Sequence, residues 1–202
     1  METIRHIFLT GEKQVGKSTL WRKVLERSGI SPGGFQTLEY LVNGNFRGYR
    51  LHGLGRIPAD LGNDVPISVF LRRKLHLAVP GSFDIFGTRL LELSLEDGGY
   101  VLMDELGTFD QDAASFRQAV VNCLDGDCHV LGVVQKADDP YLEEIVNRPD
   151  VLVFTVTKSK ANALNLSWEI TLIFQGQKGV QSEHKRSHFV QCLTARIIQY
   201  RV

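Results

Sequence analysis

The sequence predicts a three-layer α/β fold in which helices cover both faces of a mostly parallel central sheet. Short apolar runs typical of buried strands alternate with amphipathic helical stretches along most of the chain. A glycine-rich octapeptide at residues 11–18 lies between the first predicted strand and the first predicted helix. Two strands joined by Asn43-Gly44-Asn45 interrupt the alternation, and they predict a β-hairpin insertion.

The first unit is a strand, a loop and a helix. Residues 4–10 form a short apolar run that predicts a buried strand. Residues 19–27 carry Leu20, Trp21 and Val24 at helical spacing, and Ser28-Gly29 predicts the end of this helix.

The hairpin and the segment after it follow. Residues 35–42 alternate apolar and polar side chains, so they predict a strand, and residues 46–51 predict its partner. Residues 53–66 are rich in Gly, Pro, Asn and Asp and predict a loop. Residues 67–71 predict a further short strand.

The central part of the chain returns to alternation. Helices are predicted at 84–96, where Gly98-Gly99 provides the stop, at 110–124, and at 140–147. Strands are predicted at 100–104, 130–134 and 151–156. Residues 168–175 are apolar enough to pack as helix or strand, and 189–200 predict a terminal helix. We therefore expect one domain over residues 1–178 and a C-terminal extension over 179–202.

The octapeptide fits G-x-x-x-x-G-K-[ST], the phosphate-binding loop known as the P-loop or Walker A motif. Gly11 and Gly16 allow the bends that point successive backbone N–H groups at phosphate oxygens. Lys17 places a positive charge on the phosphates, and the following helix directs its positive end toward them. The residues expected to bind the phosphates are Gly11, Glu12, Lys13, Gln14, Val15, Gly16, Lys17, Ser18 and Thr19.

A second site is predicted where the apolar run 100–103 ends in Asp104 and Glu105. An acid after a buried strand, in the manner of a Walker B motif, can hold Mg²⁺ together with the hydroxyl of a P-loop Ser. We therefore predict Ser18 and Asp104 as metal-binding residues. Glu105 is within reach to activate a water, so we predict Lys17 and Glu105 as the catalytic residues.

Composition excludes several classes of protein. The 202 residues contain 23 Lys and Arg and 23 Asp and Glu, a balance that argues against a broad nucleic-acid surface. The apolar runs are too short for a membrane span, and the N-terminus lacks the pattern of a signal peptide. Three cysteines are typical of a reduced cytoplasmic protein rather than of a disulfide framework.

Together these segments resemble the nucleoside-triphosphatase family described from thermophiles, which includes a human cancer-related member. Residues 34–39, Gly-Phe-Gln-Thr-Leu-Glu, are similar to a Gly-Phe-x-Thr-x-Glu segment of that family. Residues 104–107, with Phe109, Asp110 and Phe116 beyond them, are similar to its Asp-Glu-Ile-Gly segment. The resemblance covers about residues 4–165 and implies a RecA-like P-loop fold that hydrolyses nucleoside triphosphates with little base preference.

The expected activity is Mg²⁺-dependent hydrolysis of ATP, GTP or a similar nucleoside triphosphate to the diphosphate and phosphate. Two alternatives stay open at this point: a kinase that transfers the same phosphoryl group to a small acceptor, and a nucleotide-binding switch with negligible turnover. The charge that stabilises the transferring group has two candidate sources, Arg89 and the cluster 72–74, although such clusters are usually solvated surface.

Overall fold

The computed structural model describes residues 4–71, 75–79 and 81–179, and its architecture is an eight-stranded sheet with helices on both faces. The strands are β1 His6–Thr10, β2 Gly33–Val42, β3 Asn45–Leu54, β4 Asp64–Leu71, β5 Leu75–Ala78, β6 Tyr100–Leu106, β7 His129–Val134 and β8 Val151–Thr155. The helices are α1 Lys17–Ser28, α2 Thr88–Asp97, α3 Ala114–Asp125, α4 Pro140–Val146 and α5 Lys160–Gly179, and a π-helical segment, Ser82–Gly87, leads into α2.

The strand order is β5-β4-β3-β2-β6-β7-β1-β8. The five strands from β2 to β8 in this order pair in parallel, whereas β3, β4 and β5 extend the sheet beyond β2 by antiparallel pairing. The carboxyl ends of the five parallel strands therefore meet at one edge. The predicted α/β class with a mostly parallel sheet is confirmed, and the predicted hairpin is β2 and β3, joined by Asn43 and Gly44 with positive φ at both.

Each face of the sheet has its own apolar core. On one face α1 and α5 pack together over β1, β7 and β8, through Leu20, Trp21, Val24, Leu166, Ile170 and Ile173. On the other face the π-helical segment, α2 and α3 cover the sheet, and the rings of Phe35, Phe83 and Phe116 contact one another edge to face. Such ring contacts stabilise a core beyond the area they bury.

Several elements differ from the sequence prediction. The helix predicted at 84–96 is a π-helical segment over Ser82–Gly87 followed by α2 over Thr88–Asp97. Strand β4 begins at Asp64, inside the predicted loop, and β5 was not predicted because four residues are too few to show a period. Helix α3 begins at Ala114 rather than at residue 110, because Asp110 lies in a turn closed by the bond from Ala113 N–H to its carbonyl. The apolar segment 168–175 is helical and belongs to α5.

Several predicted features lie outside the described residues. These are the basic cluster 72–74, the terminal helix at 189–200, Cys192 and nearly all of the predicted extension 179–202. The predicted domain boundary therefore stays a prediction. Within the described residues, none of the helices has the length and apolar character needed to cross a membrane.

The packing of α2 predicts a contrast between two leucines of the same helix. Leu91 is fully buried and Leu95 is 36% exposed. We expect Leu91→Ala to lower the free energy of unfolding by about 2–5 kcal/mol, since it leaves a cavity under the helix. Leu95→Ala should lower it by less than about 1 kcal/mol. Urea denaturation of both variants measures the difference, and equal losses would contradict this account of the core.

Candidate phosphate-binding and acid site

The predicted loop and the predicted acids come together at the carboxyl edge of the parallel strands. The glycine-rich loop follows β1, and Asp104 and Glu105 lie near the end of β6. Strand β7 separates β1 from β6, and Gln135 follows it directly. Ligands of open α/β sheets bind at this edge, outside the carboxyl ends of the strands.

The loop begins with a residue that has no room for a side chain. Gly11 has a φ of 139°, and a Cβ at this position would overlap the carbonyl of Val156, just beyond β8. Gly16, with a φ of 98°, is the last residue before α1. Both positions adopt backbone conformations that side-chain-bearing residues rarely adopt, so the two glycines set the path of the loop.

Lys17 is held inside the loop. Its ammonium group donates hydrogen bonds to the carbonyl oxygens of Gly11 and Glu12, each at 3.0 Å. The side chain is only 8% exposed, so the cation is desolvated and fixed by the same backbone that carries the loop N–H groups. The arrangement therefore holds a positive charge against the backbone of the loop.

The amino end of α1 provides further donors. Lys17, Ser18 and Thr19 form its first turn, which contains no acidic residue, and Gly16 provides no side-chain cap for it. The first N–H groups of a helix have no partner within the helix, and they carry its positive dipole end. Of the other predicted loop residues, Glu12, Lys13 and Gln14 are exposed and Val15 is half-buried.

Asp104 lies against this helix end. It is 4% exposed, and its carboxyl group lies close enough to the Ser18 side chain for the two to interact. Burial raises the pKa of Asp104 to about 6, and the charge of Glu105 contributes to the rise, while Ser18 and Lys17 oppose it. The structure therefore brings together Lys17, Ser18 and Asp104, which the sequence predicted from two segments 86 residues apart (Ser18 to Asp104).

Glu105 is turned out of the regular strand. In the pairing of β6 with β7, Asp104 lies opposite Val133 and Leu106 opposite Val134, so Glu105 is the extra residue of a bulge. Bulges commonly redirect a side chain near an active site. The carboxylate of Glu105 accepts a hydrogen bond from the side-chain amide of Gln135.

The loop after β6 is fixed by a buried ionic network that sequence analysis did not assemble. Asp110 is fully buried and accepts a hydrogen bond from Gly107 N–H at 2.7 Å. Arg117 of α3 bridges Asp110, at 3.4 Å, and Asp139, at 2.6 Å. Burial also raises the pKa of Asp110 to about 6. Arg117 and Asp139 are 22 residues apart in sequence, so their pairing beside Asp110 depends on the fold rather than on a local motif.

Two other features lie away from this site. Arg89, a candidate for stabilising the charge on the transferring phosphoryl group, lies on α2. It pairs there with Glu92 at 3.2 Å and Glu96 at 3.6 Å. A surface cavity of about 420 Å³ lies between α1 and the strands β2, β3 and β6. None of the residues that line the cavity belongs to the glycine-rich loop.

The donor set at the site suits Mg²⁺. Ser18 and Asp104 offer a hydroxyl and a carboxylate oxygen side by side, and Mg²⁺ prefers oxygen ligands while retaining several waters. The described residues contain no cluster of three or more His, Cys, Asp or Glu arranged as a metal cage. A metal that binds through one or two protein oxygens and phosphate oxygens does not require such a cage.

Comparisons with known proteins agree on one family. A family model described as NTPase matches residues 6–170. The nucleoside-triphosphatase THEP1 of Thermotoga sp. (strain RQ2) is 31% identical over 159 residues, covering 78% of this chain and 90% of that protein. The cancer-related nucleoside-triphosphatase of Homo sapiens is 33% identical over 175 residues, covering 79% of this chain and 92% of that protein. The solution structure of a human cancer-related nucleoside triphosphatase superposes with a TM-score of 0.65 at 28% identity, covering 85% of this chain and 97% of that chain.

The raised pKa of Asp104 predicts how stability depends on pH. Without ligand, the native carboxyl keeps a proton up to about pH 6, whereas the unfolded carboxyl loses it near its ordinary value of 3.8. The contribution of Asp104 to stability therefore falls as the pH rises from about 4 to 6 and stays low above that. Asp104→Asn, which carries no charge, should raise the free energy of unfolding at pH 7 by up to about 3 kcal/mol.

Urea denaturation of wild type and Asp104→Asn at pH 4 and pH 7, without nucleotide or metal, measures this difference. The advantage of the variant should shrink at pH 4, where the native carboxyl is protonated and the unfolded carboxyl, close to its ordinary pKa of 3.8, is only partly ionised. An advantage that is equal at the two pH values would contradict the buried, proton-retaining carboxyl.

Proposed function

The chain belongs to the NTPase family whose model spans residues 6–170, and from this membership we propose that it hydrolyses nucleoside triphosphates in a Mg²⁺-dependent reaction. The products are the nucleoside diphosphate and phosphate. ATP and GTP are the substrates we expect, because loop N–H groups and a lysine recognise phosphates rather than a base.

One observation carries the proposal: the side chain of Ser18 lies next to the buried carboxyl group of Asp104, beside Lys17. In P-loop NTPases a Ser or Thr of the loop and an acid after a buried strand together hold Mg²⁺ at the phosphates. The same two residue types lie in contact here, although they come from different elements of the fold.

The loop residues bind and orient the triphosphate. Residues 11–19 present their N–H groups, and the amino end of α1 adds its dipole. The Lys17 ammonium exchanges the carbonyls of Gly11 and Glu12 for phosphate oxygens when the nucleotide enters. It then offsets the negative charge at the transferring group.

Glu105 orients the attacking water and receives its proton. The water oxygen forms a bond to the γ-phosphorus, and the bond from that phosphorus to the bridging oxygen of the β-phosphate breaks. The bridging oxygen leaves with the diphosphate, and the remaining group leaves as phosphate. Mg²⁺, when held by Ser18 and, through water, by Asp104, would neutralise charge on the phosphate oxygens.

We also propose a cytoplasmic location. The support is the cysteine content: Cys123 and Cys128 are buried free thiols in the core around α3, as suits a reducing compartment. Nucleic acid is not proposed as a partner, because the acidic and basic residues balance.

A direct test of the reaction class is release of phosphate from γ-labelled ATP with Mg²⁺ and no added acceptor. We expect stoichiometric free phosphate and nucleoside diphosphate. Label that stays in ATP until a small acceptor is added would instead identify a kinase, and tight binding without either product would identify a switch.

Replacing the proposed base tests the mechanism. Glu105→Gln should lower kcat by roughly 10²–10⁴-fold, since the amide cannot take the proton of the attacking water. Nucleotide affinity should stay close to that of the wild type. Steady-state kinetics and a binding titration measure the two effects, and the same substitution at the exposed Glu144 of α4 is the matched control. Unchanged hydrolysis in Glu105→Gln would refute its assigned role.

Two lysines of the loop provide a second matched pair. Lys17→Ala removes the buried ammonium group and should weaken binding of the magnesium nucleotide by about 10–100-fold. Lys13→Ala removes an exposed lysine of the same loop and should change the affinity by less than about threefold. Equal affinities of the two variants would contradict the phosphate-binding role of Lys17.

A further inference from the structure

Gln135 is a polar residue at the site that the proposed mechanism leaves without a function. It follows β7, the strand between the loop strand β1 and the acid strand β6. Its side-chain nitrogen donates a hydrogen bond to the Glu105 carboxylate. Its backbone N–H donates to Leu106 carbonyl at 3.0 Å, so the residue is attached to β6 by both its backbone and its side chain.

The orientation of the Gln135 amide is fixed by the loop after β6. Its side-chain oxygen accepts hydrogen bonds from Thr108 N–H at 3.2 Å and from the Thr108 hydroxyl at 3.4 Å. An amide whose oxygen is occupied by donors must present its NH₂ group in the other direction, and here that direction is Glu105. The part of the Gln135 side chain that faces Glu105 must therefore be a hydrogen-bond donor.

The loop itself is rigidly held, which makes this orientation stable. Gly107 packs so closely on the Gln135 amide that a Cβ at residue 107 would overlap its carbonyl. Gly107 N–H is bound by the buried Asp110, which Arg117 in turn binds. The ionic network under α3 thus reaches the Glu105 carboxylate through Gly107 and Gln135.

We propose that Gln135 is a positioning residue for hydrolysis, which fixes the Glu105 carboxylate in the orientation that aligns the attacking water. The inference rests on the proposed function of Glu105. A glutamate at a bulge can adopt several side-chain rotamers, and a base assists only when it points at the proton it accepts. A donor held by Thr108 and Gly107 selects one of them before substrate arrives.

The main test compares kcat, KM and nucleotide affinity in wild type, Gln135→Leu and Gln135→Glu, with MgATP. Both variants should lower kcat by about 10–100-fold, the loss typical of an outer residue that orients a reacting group, while affinity changes by less than about threefold. Gln135→Glu keeps the size and shape of the side chain but turns the donor into an acceptor. A residue that only fills space would leave kcat of Gln135→Glu unchanged, and that result would overturn the proposal.

Gln118→Leu is the matched control for the leucine variant, because Gln118 is exposed on α3, where its side-chain amide donates a hydrogen bond to the Asn122 side chain. It should keep wild-type kcat. Urea midpoints of all variants report folding, and if Gln135→Leu does not fold, the isosteric Gln135→Glu alone decides the outcome.

A double-mutant cycle separates failure of this inference from failure of the proposed function. If Gln135 acts through Glu105, adding Gln135→Leu to Glu105→Gln should lower kcat by less than about threefold more. Multiplicative losses would show that Gln135 acts independently and would overturn the inference. Wild-type kcat in Gln135→Leu beside a large loss in Glu105→Gln would overturn it as well, with the proposed function intact. Wild-type kcat in Glu105→Gln would overturn both.

Discussion

The contact between the Ser18 side chain and the buried carboxyl of Asp104 is the interaction around which the site is built. It joins the first turn of α1, the helix that follows β1, to the end of β6, and β7 lies between β1 and β6 in the sheet. A buried carboxyl destabilises a fold unless it has partners, and here Ser18 and Lys17 provide only part of the compensation. The remaining destabilisation is consistent with a position selected for a ligand rather than for stability.

The fold supports this contact from both sides. The core of α1 and α5 holds the helix whose amino end carries Ser18, and the aromatic core of Phe35, Phe83 and Phe116 lies under the strands that carry the acids.

Asp104 and Glu105 are adjacent in sequence but differ in surroundings. Asp104 lies in the regular strand against α1, whereas the bulge at Glu105 directs it toward Gln135. One dipeptide thus provides two carboxylates with different partners.

Much of this was accessible from sequence, because local patterns determine it. The P-loop spacing, the apolar run before Asp104 and the Asn43-Gly44 turn are each local signals, and the alternation of strands and helices gave the fold class. The features that sequence reasoning missed depend on distant contacts. Gln135 had a weak signal, a polar residue directly after the apolar run 130–134, but its pairing with Glu105 depends on the strand order. The position of Arg117 beside Asp110 and Asp139 likewise requires α3 to lie over the loop after β6.

The close approach of Gly11 to Val156 has a mechanical consequence for the molecule. Two backbones touch there without an intervening side chain, and Val156 N–H also donates to the carbonyl of Thr10 at 2.8 Å. No side chain that could change its rotamer lies between the start of the loop and the segment that connects β8 to α5. A shift of residues 156–159 would therefore also move the start of the glycine-rich loop. We expect these two segments to move together as one rigid unit.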